Sequence, residues 1–450
     1  MARLCLLPPR RNQQVTQRKS LCAAAVALAL VSGSAFATNG YFAHGYGTKS
    51  KAMAGAGVAL PQDAMAAATN PAGMASVGNR LDVGAAVFMP IRSYQAEAAG
   101  PGDFVNSDGT EVDSEREAFL VPHFAYNTML DADSSVGIAV YGNGGMNSFY
   151  RNTDTPGNGG TFGAAGFGGD GNTGVDLMQL FVAPTYARKI NDNVSVGVSA
   201  ILAYQRFKAY GLETFGAFGM SNDPTALSGN DFDDAFGFGG RIGIQAKVSN
   251  SLTLGASYQS KIYMDKFDKY AGLFAEQGDF DIPANFTVGL ALKASPALTV
   301  AADIQHIMYS DVDSIANPMQ PAFNNCNFGG GDTSYCLGGS NGMGFGWDDM
   351  TVYKLGVQYD YSSDLTLRGG VSYGKAPIDP SEVLFNILAP ATVEWHFTAG
   401  ATKQLSKGSE VSFSAMYAPE KKISGDPFGA QPIDIKMHQF ELEASYGMTW

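Results

Sequence analysis

The sequence predicts an all-β fold, a transmembrane antiparallel β-barrel of about 14 strands with an N-terminal plug in its lumen. Three features of the 450 residues support this prediction. Apolar residues alternate with other residues in successive segments, the connections between these segments are short and long in turn, and charged residues make up only 16% of the chain. A membrane barrel needs short turns at one rim and long loops at the other, whereas a soluble β-sandwich does not.

Residues 1–37 have the composition of a secretory signal peptide. A basic region precedes the apolar run Leu21 to Val31, and Ala35-Phe36-Ala37 fits a cleavage site, so the mature chain is expected to begin at Thr38. No later apolar stretch reaches the roughly 18 residues of a membrane helix, which excludes a helical bundle. The charged residues of this segment are all basic, so cleavage makes the chain more acidic than the precursor, whose net charge is −13. Such an acidic chain disfavours nucleic acid as a partner.

Residues 38–79 do not follow the strand pattern. They are rich in Ala, Gly and Met, contain Pro61 and Pro71, and precede the first strand. The segment could be a flexible periplasmic lead or a plug inside the barrel, and its small residues favour the plug because they allow close packing against a wall. The predicted organisation is a signal peptide (1–37), an N-terminal hatch (38–79) and a transmembrane barrel (80–450).

The strands of the barrel follow from period-two alternation, which is clearest in 281–294 and in 437–450. An even number of strands places both termini in the periplasm. The last strand ends on Trp450, where Phe is commoner, and an aromatic end is the usual signal for the barrel-assembly machinery. The other strands are expected near 81–92, 119–130, 134–150, 176–188, 193–209, 234–248, 251–264, 297–310, 349–361, 364–375, 391–404 and 409–418. Long loops are expected near 94–118, 151–175, 210–233, 265–280, 311–348, 376–390 and 419–436.

The third strand contains an unusual run of small residues, Gly142-Asn143-Gly144-Gly145. Glycines in a strand interior weaken pairing and mark a bulge or a bend. The alternative is that the strand ends at Tyr141. A strand from Ser134 to Tyr141 would be too short to span a membrane, so we favour a kink.

Two apolar clusters lie in predicted surface loops. The first contains Leu212, Phe215 and Phe218, and the second covers residues 384–388. Exposed apolar clusters usually mark binding sites. The same residues could instead pack loop against loop as a lid, and the sequence leaves both interpretations open.

The chain carries few candidates for other chemistry. Cys326 and Cys336 remain after cleavage, and in an exported protein this pair indicates a disulfide. The five histidines are scattered, so no metal, other cofactor or catalytic residue is predicted. Ser372 lies in a G-x-S-x-G match, but within a predicted strand and with no evident His partner, so we interpret the match as chance.

The residues directly before the first strand resemble a known family. Asp63-Ala64 and Thr69-Asn70-Pro71-Ala72-Gly73-Met74-Ala75 look like the hatch of the FadL-type transporters, outer-membrane channels for long-chain fatty acids and aromatic hydrocarbons. With the signal peptide, strand count and aromatic terminus, the resemblance covers the whole mature chain. It implies a monomeric barrel with the hatch folded inside and a third-strand kink that opens the wall sideways. It also implies that the mature N-terminus reaches an interior pocket, which gives Tyr41 and Phe42 a part in ligand binding.

The sequence therefore predicts a non-enzymatic protein of the Gram-negative outer membrane that takes up hydrophobic small molecules passively. Its expected partners are the ligand, outer-membrane lipid and lipopolysaccharide, and the assembly machinery. Three alternatives remain: a general diffusion porin, a barrel lipase and a surface receptor or adhesin. A porin would have an open polar lumen, and a lipase would need paired Ser and His side chains facing outward.

Overall fold

The computed structural model describes residues 38–100, 103–163, 171–326, 331–406, 408–427, 429 and 431–450. The predicted signal peptide and its cleavage site lie outside these residues. Within the described ranges, no helix has the length and apolar character required to cross a membrane.

The described chain forms one closed antiparallel barrel. Fourteen long strands form its wall, and two short strands, β2 and β9, pair at its rim. Each wall strand pairs with its neighbours in sequence, and β16 pairs with β1 to close the barrel. The prediction of an antiparallel barrel of about 14 strands is confirmed. The strands are β1 (Arg80–Ala96), β2 (Glu111–Asp113), β3 (Phe119–Met129), β4 (Ser134–Asn147), β5 (Gly174–Asn191), β6 (Val194–Tyr210), β7 (Asp233–Lys247), β8 (Leu252–Gln259), β9 (Tyr263–Met264), β10 (Asn285–Lys293), β11 (Leu298–Ile307), β12 (Met350–Ser362), β13 (Leu365–Gly374), β14 (Trp395–Ser406), β15 (Ser409–Gly425) and β16 (Ile433–Thr449).

Alternation along the strands separates an apolar outer face from a polar inner face. On β15, Phe413 is 58% exposed, whereas its neighbours Ser412 and Ser414 are buried inside. On β16, Leu442 is exposed while Glu441 and Glu443 are buried. An apolar exterior and a polar interior are the arrangement that a barrel needs in lipid.

The short turns lie at one end of the barrel, here called the turn end, and the long connections lie at the other, the loop end. Arg80 and Thr449 pair with each other, so the wall begins and finishes at the turn end. The long loops carry the short helices Glu213–Ala217, Ala275–Gly278, Asp313–Ala316, Met319–Cys326 and Val383–Asn386 and the 3-10 turns Asn152–Asp154, Pro156–Asn158, Pro224–Ala226, Asp268–Tyr270, Tyr309–Asp311, Thr333–Tyr335 and Pro380–Glu382. Before the wall come the helices Thr48–Lys51 and Ala66–Thr69 and the 3-10 helix Pro71–Ser76.

Several expected boundaries are wrong at the loop end. β15 continues to Gly425 and β16 starts at Ile433, so most of the predicted loop 419–436 is strand. Lys421 and Lys422 lie in this extension, and Lys422 bonds to Asp434 at 2.8 Å. Because charged residues occur here on the outer face, this part of the strand lacks the alternation of apolar and polar residues by which a lipid-facing strand is recognised in a sequence. Conversely, β8 ends at Gln259, before the expected 264.

Candidate functional site

Residues 38–79, here called the N-terminal segment, are buried over most of their length. The 3-10 helix Pro71–Ser76 contacts β4, β5, β6 and β7. The helix Thr48–Lys51 contacts β14, β15 and β16 on the other side of the wall. A segment that touches well-separated strands of a closed barrel lies within its lumen.

Glycines on the inner wall allow the N-terminal segment to approach closely. A Cβ on Gly243 would lie 1.9 Å from the Asn70 side chain, and a Cβ on Gly255 would lie 2.4 Å from the Val58 carbonyl oxygen. Real Cβ atoms do not come this close, so these positions require glycine for the observed packing. Similar contacts with the segment occur at Gly137, Gly197, Gly356, Gly370 and Gly400.

The Asn70-Pro71-Ala72 motif holds a turn of the N-terminal segment against the wall. The Asn70 side chain accepts a hydrogen bond from the Ala72 N–H at 3.1 Å and donates to the carbonyl oxygens of Val58 at 2.7 Å and Ile244 at 3.0 Å. Pro71 starts the 3-10 helix, where a missing N–H leaves no bond unmade. In this structure the motif ties the segment to β7.

The third wall strand, β4, continues through its glycines. Its register against β5 shifts between Gly142 and Gly144, which places a bulge at Asn143, and pairing with β5 continues to Asn147. The strand therefore does not end at Tyr141.

The other edge of β4 separates from β3. Within the described residues, the β3–β4 ladder ends at the pair His123 and Tyr141. Residues 119–122 of β3 pair with β1 but have no pairing partner on β4. We call the gap between 119–122 and 142–147 the window.

The start of the N-terminal segment bonds to β4 at the window. Phe42 forms an antiparallel bridge with Gly144. The Ala43 N–H donates to the Asn143 carbonyl at 3.1 Å, and the Gly145 N–H donates to the Tyr41 carbonyl at 3.2 Å. These bonds satisfy backbone groups that β3 leaves unpaired.

Aromatic side chains surround Tyr41 and Phe42, both of which are fully buried. Tyr309 lies 5.5 Å from Tyr41 and 6.0 Å from Phe42 between ring centroids, and Trp347 lies 6.1 Å from Tyr41. The Tyr309 hydroxyl accepts from the Tyr41 N–H at 3.2 Å and donates to the Asn39 carbonyl at 2.5 Å. Burial raises the pKa of the Tyr41 phenol well above its ordinary value. The phenol therefore stays neutral in this apolar site.

The predicted apolar loop residues pack against one another. Leu212 and Phe215 are buried, and Phe218 is partly buried beside Phe104. The Phe215 ring lies 6.0 Å from Phe385 of the second cluster and makes an edge contact with it. The two clusters thus meet at the loop end. Of the two interpretations left open, packing of loop against loop as a lid is the one seen for these side chains, and ligand binding by Leu212, Phe215 and Phe218 stays a prediction.

Asn386, which was not among the predicted site residues, is the polar residue that holds this lid. Its side chain is fully buried and accepts from Trp347 Nε1 at 2.6 Å. It also donates to the carbonyl oxygens of Phe345 at 2.7 Å and Glu382 at 2.8 Å. Only its place between two apolar runs in the sequence could have indicated a buried amide.

Two further predictions concern the cysteines and Ser372. The structure joins Cys326 and Cys336 in a disulfide within the loop between β11 and β12. The statement that Ser372 lacks a His partner is wrong, because its Oγ lies 3.3 Å from His396 Nδ1 on the adjacent strand. Both side chains face the packed interior, not the outside where a lipase needs them. In the described residues, no cluster of three or more potential metal ligands occurs.

These features define a class, the membrane β-barrels with an apolar outer wall and a lumen filled by their own N-terminal chain. Residues 23–427 match the family model described as outer membrane protein transport protein (OMPP1/FadL/TodX), and the chain belongs to this family. Barrels of this family are outer-membrane transport channels of Gram-negative bacteria.

Solved structures share the fold at low identity. The toluene transporter TodX of P. putida is 19% identical, with a TM-score of 0.67 over 90% of this chain and 99% of that chain. A FadL homologue of Pseudomonas aeruginosa is 16% identical, with a TM-score of 0.64 over 91% and 99%. The toluene transporter TbuX of Ralstonia pickettii is 18% identical, with a TM-score of 0.59 over 90% and 99%. No curated protein matches the chain.

Proposed function

We propose that the protein takes up hydrophobic small molecules, long-chain fatty acids or related hydrocarbons, passively across the outer membrane. The ligand enters at the loop end, occupies an interior site at Tyr41 and Phe42, and leaves sideways through the window into the membrane. The N-terminal segment acts as a hatch that closes the lumen toward the periplasm. Downhill partitioning and consumption inside the cell drive the flux.

The observation that carries this proposal is the break between β3 and β4. A closed barrel normally satisfies every backbone hydrogen bond between neighbouring strands. Here β4 bonds instead to Tyr41 and Ala43 of the N-terminal segment. Because this short stretch replaces a wall strand, its release would open a route from the lumen into lipid.

The contacts of the N-terminal segment differ along its length, and this supports movement of its first residues alone. Residues after about 50 meet the wall at glycines whose side-chain positions are occupied by segment atoms. The start of the segment meets the wall at one such glycine, Gly144, and otherwise lies against aromatic rings and the edge of β4. We therefore propose that residues 38–46 shift on ligand entry while the rest of the hatch stays in place.

The interior site supports a ligand with a large apolar surface. The aromatic faces of Tyr309, Trp347 and Phe280 surround Tyr41. An incoming apolar chain or ring would replace the Tyr41 and Phe42 rings and gain burial of about 25 cal/mol per Å² of apolar area.

A direct test is mass spectrometry of the compounds that co-purify with the folded protein in detergent, compared with a barrel of unrelated function. The proposal predicts enrichment of a fatty acid or a hydrocarbon, whose identity separates the two ligand classes. Planar-bilayer conductance tests the hatch, since a filled lumen should pass little current. No enrichment together with large steady conductance would instead indicate a general diffusion porin.

The remaining proposals concern assembly and surroundings. We propose a monomer exported by a signal peptide cleaved after Ala37, folded by the barrel-assembly machinery and surrounded by lipopolysaccharide at the loop end. The disulfide between Cys326 and Cys336 would then stabilise the lid loops, since a cross-link lowers the entropy of the unfolded loop. Size-exclusion chromatography with light scattering would detect a larger assembly.

A further inference from the structure

We infer that the N-terminal segment has a second role, as an internal clamp on the place where the barrel closes. The wall closes through pairing of β1 with β16, from Arg80 opposite Thr449 to Ala96 opposite Ile433. We call this pair of strands the seam. Every other pair of adjacent wall strands is joined by a turn or loop of the chain, whereas the seam joins the two ends of the barrel sequence.

Buried lysines of the N-terminal segment pair with glutamates of the seam and of the adjacent strand β15. Lys49 Nζ lies 2.5 Å from Glu410 Oε1 on β15. Lys51 Nζ lies 3.0 Å from Glu441 Oε2 and 2.7 Å from Glu443 Oε2, both on β16. These five side chains are almost completely buried, so the ion pairs are shielded from water.

The other side of the seam joins the same network. Arg80 on β1 holds Asp82 at 2.6 Å and reaches past β16 to Glu410 at 2.8 Å. It passes Gly447 of β16, where a Cβ would lie 2.9 Å from both Asp82 Oδ1 and Glu410 Oε1. The Ala64 N–H of the N-terminal segment donates to Asp82 Oδ2 at 2.9 Å. The segment is therefore bonded to β1, β15 and β16 together.

Ion pairs between the segment and the wall are concentrated on this side of the lumen, whereas the buried wall cation Lys354 on β12 donates to the His44 carbonyl of the segment at 3.1 Å. In the described part of the chain, the three ion pairs found between the N-terminal segment and the wall all end on β15 or β16. Away from the seam, Asp303 on β11 accepts from the N–H groups of Gly57 and Val58 at 2.7 and 2.9 Å, without a cation from the segment.

The ion pairs between the N-terminal segment and β15 and β16 affect how the barrel closes during assembly. Without Lys51, Glu441 would lose its lysine partner, and Glu443 would keep Thr48 and His123, whose Nδ1 lies at 3.3 Å, so one buried carboxylate would be left without a cation, which is strongly unfavourable. With the N-terminal segment in place, the same carboxylates can form their ion pairs only when β16 lies beside β15 and β1 in the native register. The segment thus favours closure of the seam.

The test compares two full-length variants that each remove one buried charge at a contact between the segment and the wall. Lys51→Met acts at the seam, and Asp303→Ala acts on β11. The rate of heat unfolding in detergent is followed by the shift in gel mobility of the folded barrel. We expect Lys51→Met to unfold about 100-fold faster than the wild type and Asp303→Ala less than about 10-fold faster.

A cross-link separates a clamp on the seam from a general loss of packing. Val87 and Leu442 lie opposite each other on the outer face of the seam, so Val87→Cys with Leu442→Cys places two thiols there. Oxidation should bring Lys51→Met to within about threefold of the cross-linked wild type and should leave Asp303→Ala unimproved.

Equal unfolding rates for Lys51→Met and Asp303→Ala, or equal rescue of both by the cross-link, would overturn the inference. If Lys51→Met does not fold in any background, Thr48→Val is judged by the same two criteria. It is milder because it removes a single hydrogen bond of 2.7 Å from Thr48 to Glu443. None of these measurements depends on transport of a ligand.

Discussion

The absence of a side chain at Gly144 and the hydroxyl group of Tyr309 determine how the N-terminal segment lies at the window. At Gly144 a Cβ would be 2.0 Å from the Tyr41 carbonyl oxygen, so the bridge between the segment and β4 requires glycine. At Tyr309 a single hydroxyl bonds both the Tyr41 N–H and the Asn39 carbonyl. Each of these two residues can be changed while the aromatic rings around Tyr41 and Phe42 are kept.

Gly144→Ala is expected to release the N-terminus from β4. The added methyl group displaces Tyr41 and breaks two backbone hydrogen bonds, which together contribute about 2 kcal/mol, or roughly 30-fold in the bound population. The measurement is the rate of thiol labelling at Thr38→Cys, a buried position. Gly369→Ala is the matched control, because its Cβ would lie 3.7 Å from the nearest atom, an ordinary contact. Equal labelling rates in the two backgrounds would contradict the role of Gly144.

Tyr309→Phe is expected to loosen the N-terminus while keeping the ring. The buried Tyr41 N–H would lose its acceptor, at a cost of about 1–3 kcal/mol, and Thr38→Cys would label faster. Ligand affinity, measured by calorimetry, should rise, because the ring remains in place and the ligand displaces an N-terminus that is held less firmly. Tyr309→Ala should weaken binding, because it removes the ring as well. A loss of affinity in Tyr309→Phe equal to that in Tyr309→Ala would show that the hydroxyl itself binds ligand.

Among the elements, the loop between β13 and β14 is the centre of the lid. Its helix Val383–Asn386 is buried and contacts β15 and β16, and the two residues that follow the helix accept hydrogen bonds from residues just past the end of β4. Tyr150 donates to the Ile387 carbonyl at 2.9 Å, and Ser148 donates to the Leu388 carbonyl at 2.7 Å. Movement of this loop is therefore linked to the strand that borders the window.

Asn386→Leu is expected to open the lid. The change keeps the size of the side chain but leaves Trp347 Nε1 buried without an acceptor, which costs about 1–3 kcal/mol. Limited proteolysis of the loops should become roughly 10-fold faster or more. Asn222→Leu serves as the control, because its bond to the Thr333 carbonyl is exposed to water. Similar cleavage in the two variants would remove Asn386 from this role.

The loop after β9 is expected to respond to pH through Asp279. Burial, with Asp281 nearby, raises the pKa of Asp279 to about 6, and Lys261 and Lys266 oppose this shift. A raised carboxyl pKa means that the native loop is favoured while the group is protonated and loses stability as pH rises through about 6. Protease cleavage in residues 265–280 should therefore be slower at pH 5 than at pH 7.5. Asp279→Asn should abolish that difference, and a difference that persists would assign the effect to another group.

The elements show why sequence reasoning succeeded in some places and failed in others. Strands that face lipid carry a two-residue period, so the wall could be predicted, but the extension of β15 past Ala418 carries charges outside and could not. The bulge at Gly142–Gly145 could be predicted because glycine weakens a strand locally. The contacts of Tyr309 and Asn386 join residues far apart in sequence, and no local pattern records such pairs.

In the whole molecule, the outer face of the wall and the face that lines the lumen are adapted to different surroundings. The outer face is apolar because it contacts lipid, whereas the inner face fits one segment of the same chain through glycines around the wall and ion pairs at and beside the seam. Once ligand has passed the lid, its exit would then need only the first residues of that segment to move. The central claim is that ligand leaves through the window once these residues release β4.

The most direct test locks the N-terminus onto β4 and measures uptake. Ala43 lies opposite Asn143 at the window, with the Ala43 N–H bonded to the Asn143 carbonyl at 3.1 Å. In cells producing Ala43→Cys with Asn143→Cys, oxidation should reduce uptake of a labelled hydrophobic compound to the level of cells without the protein, and a reductant should restore it. The single-cysteine variants and the reductant-treated wild type control for each substitution and for the native disulfide. Full uptake through the cross-linked barrel would contradict lateral exit at the window.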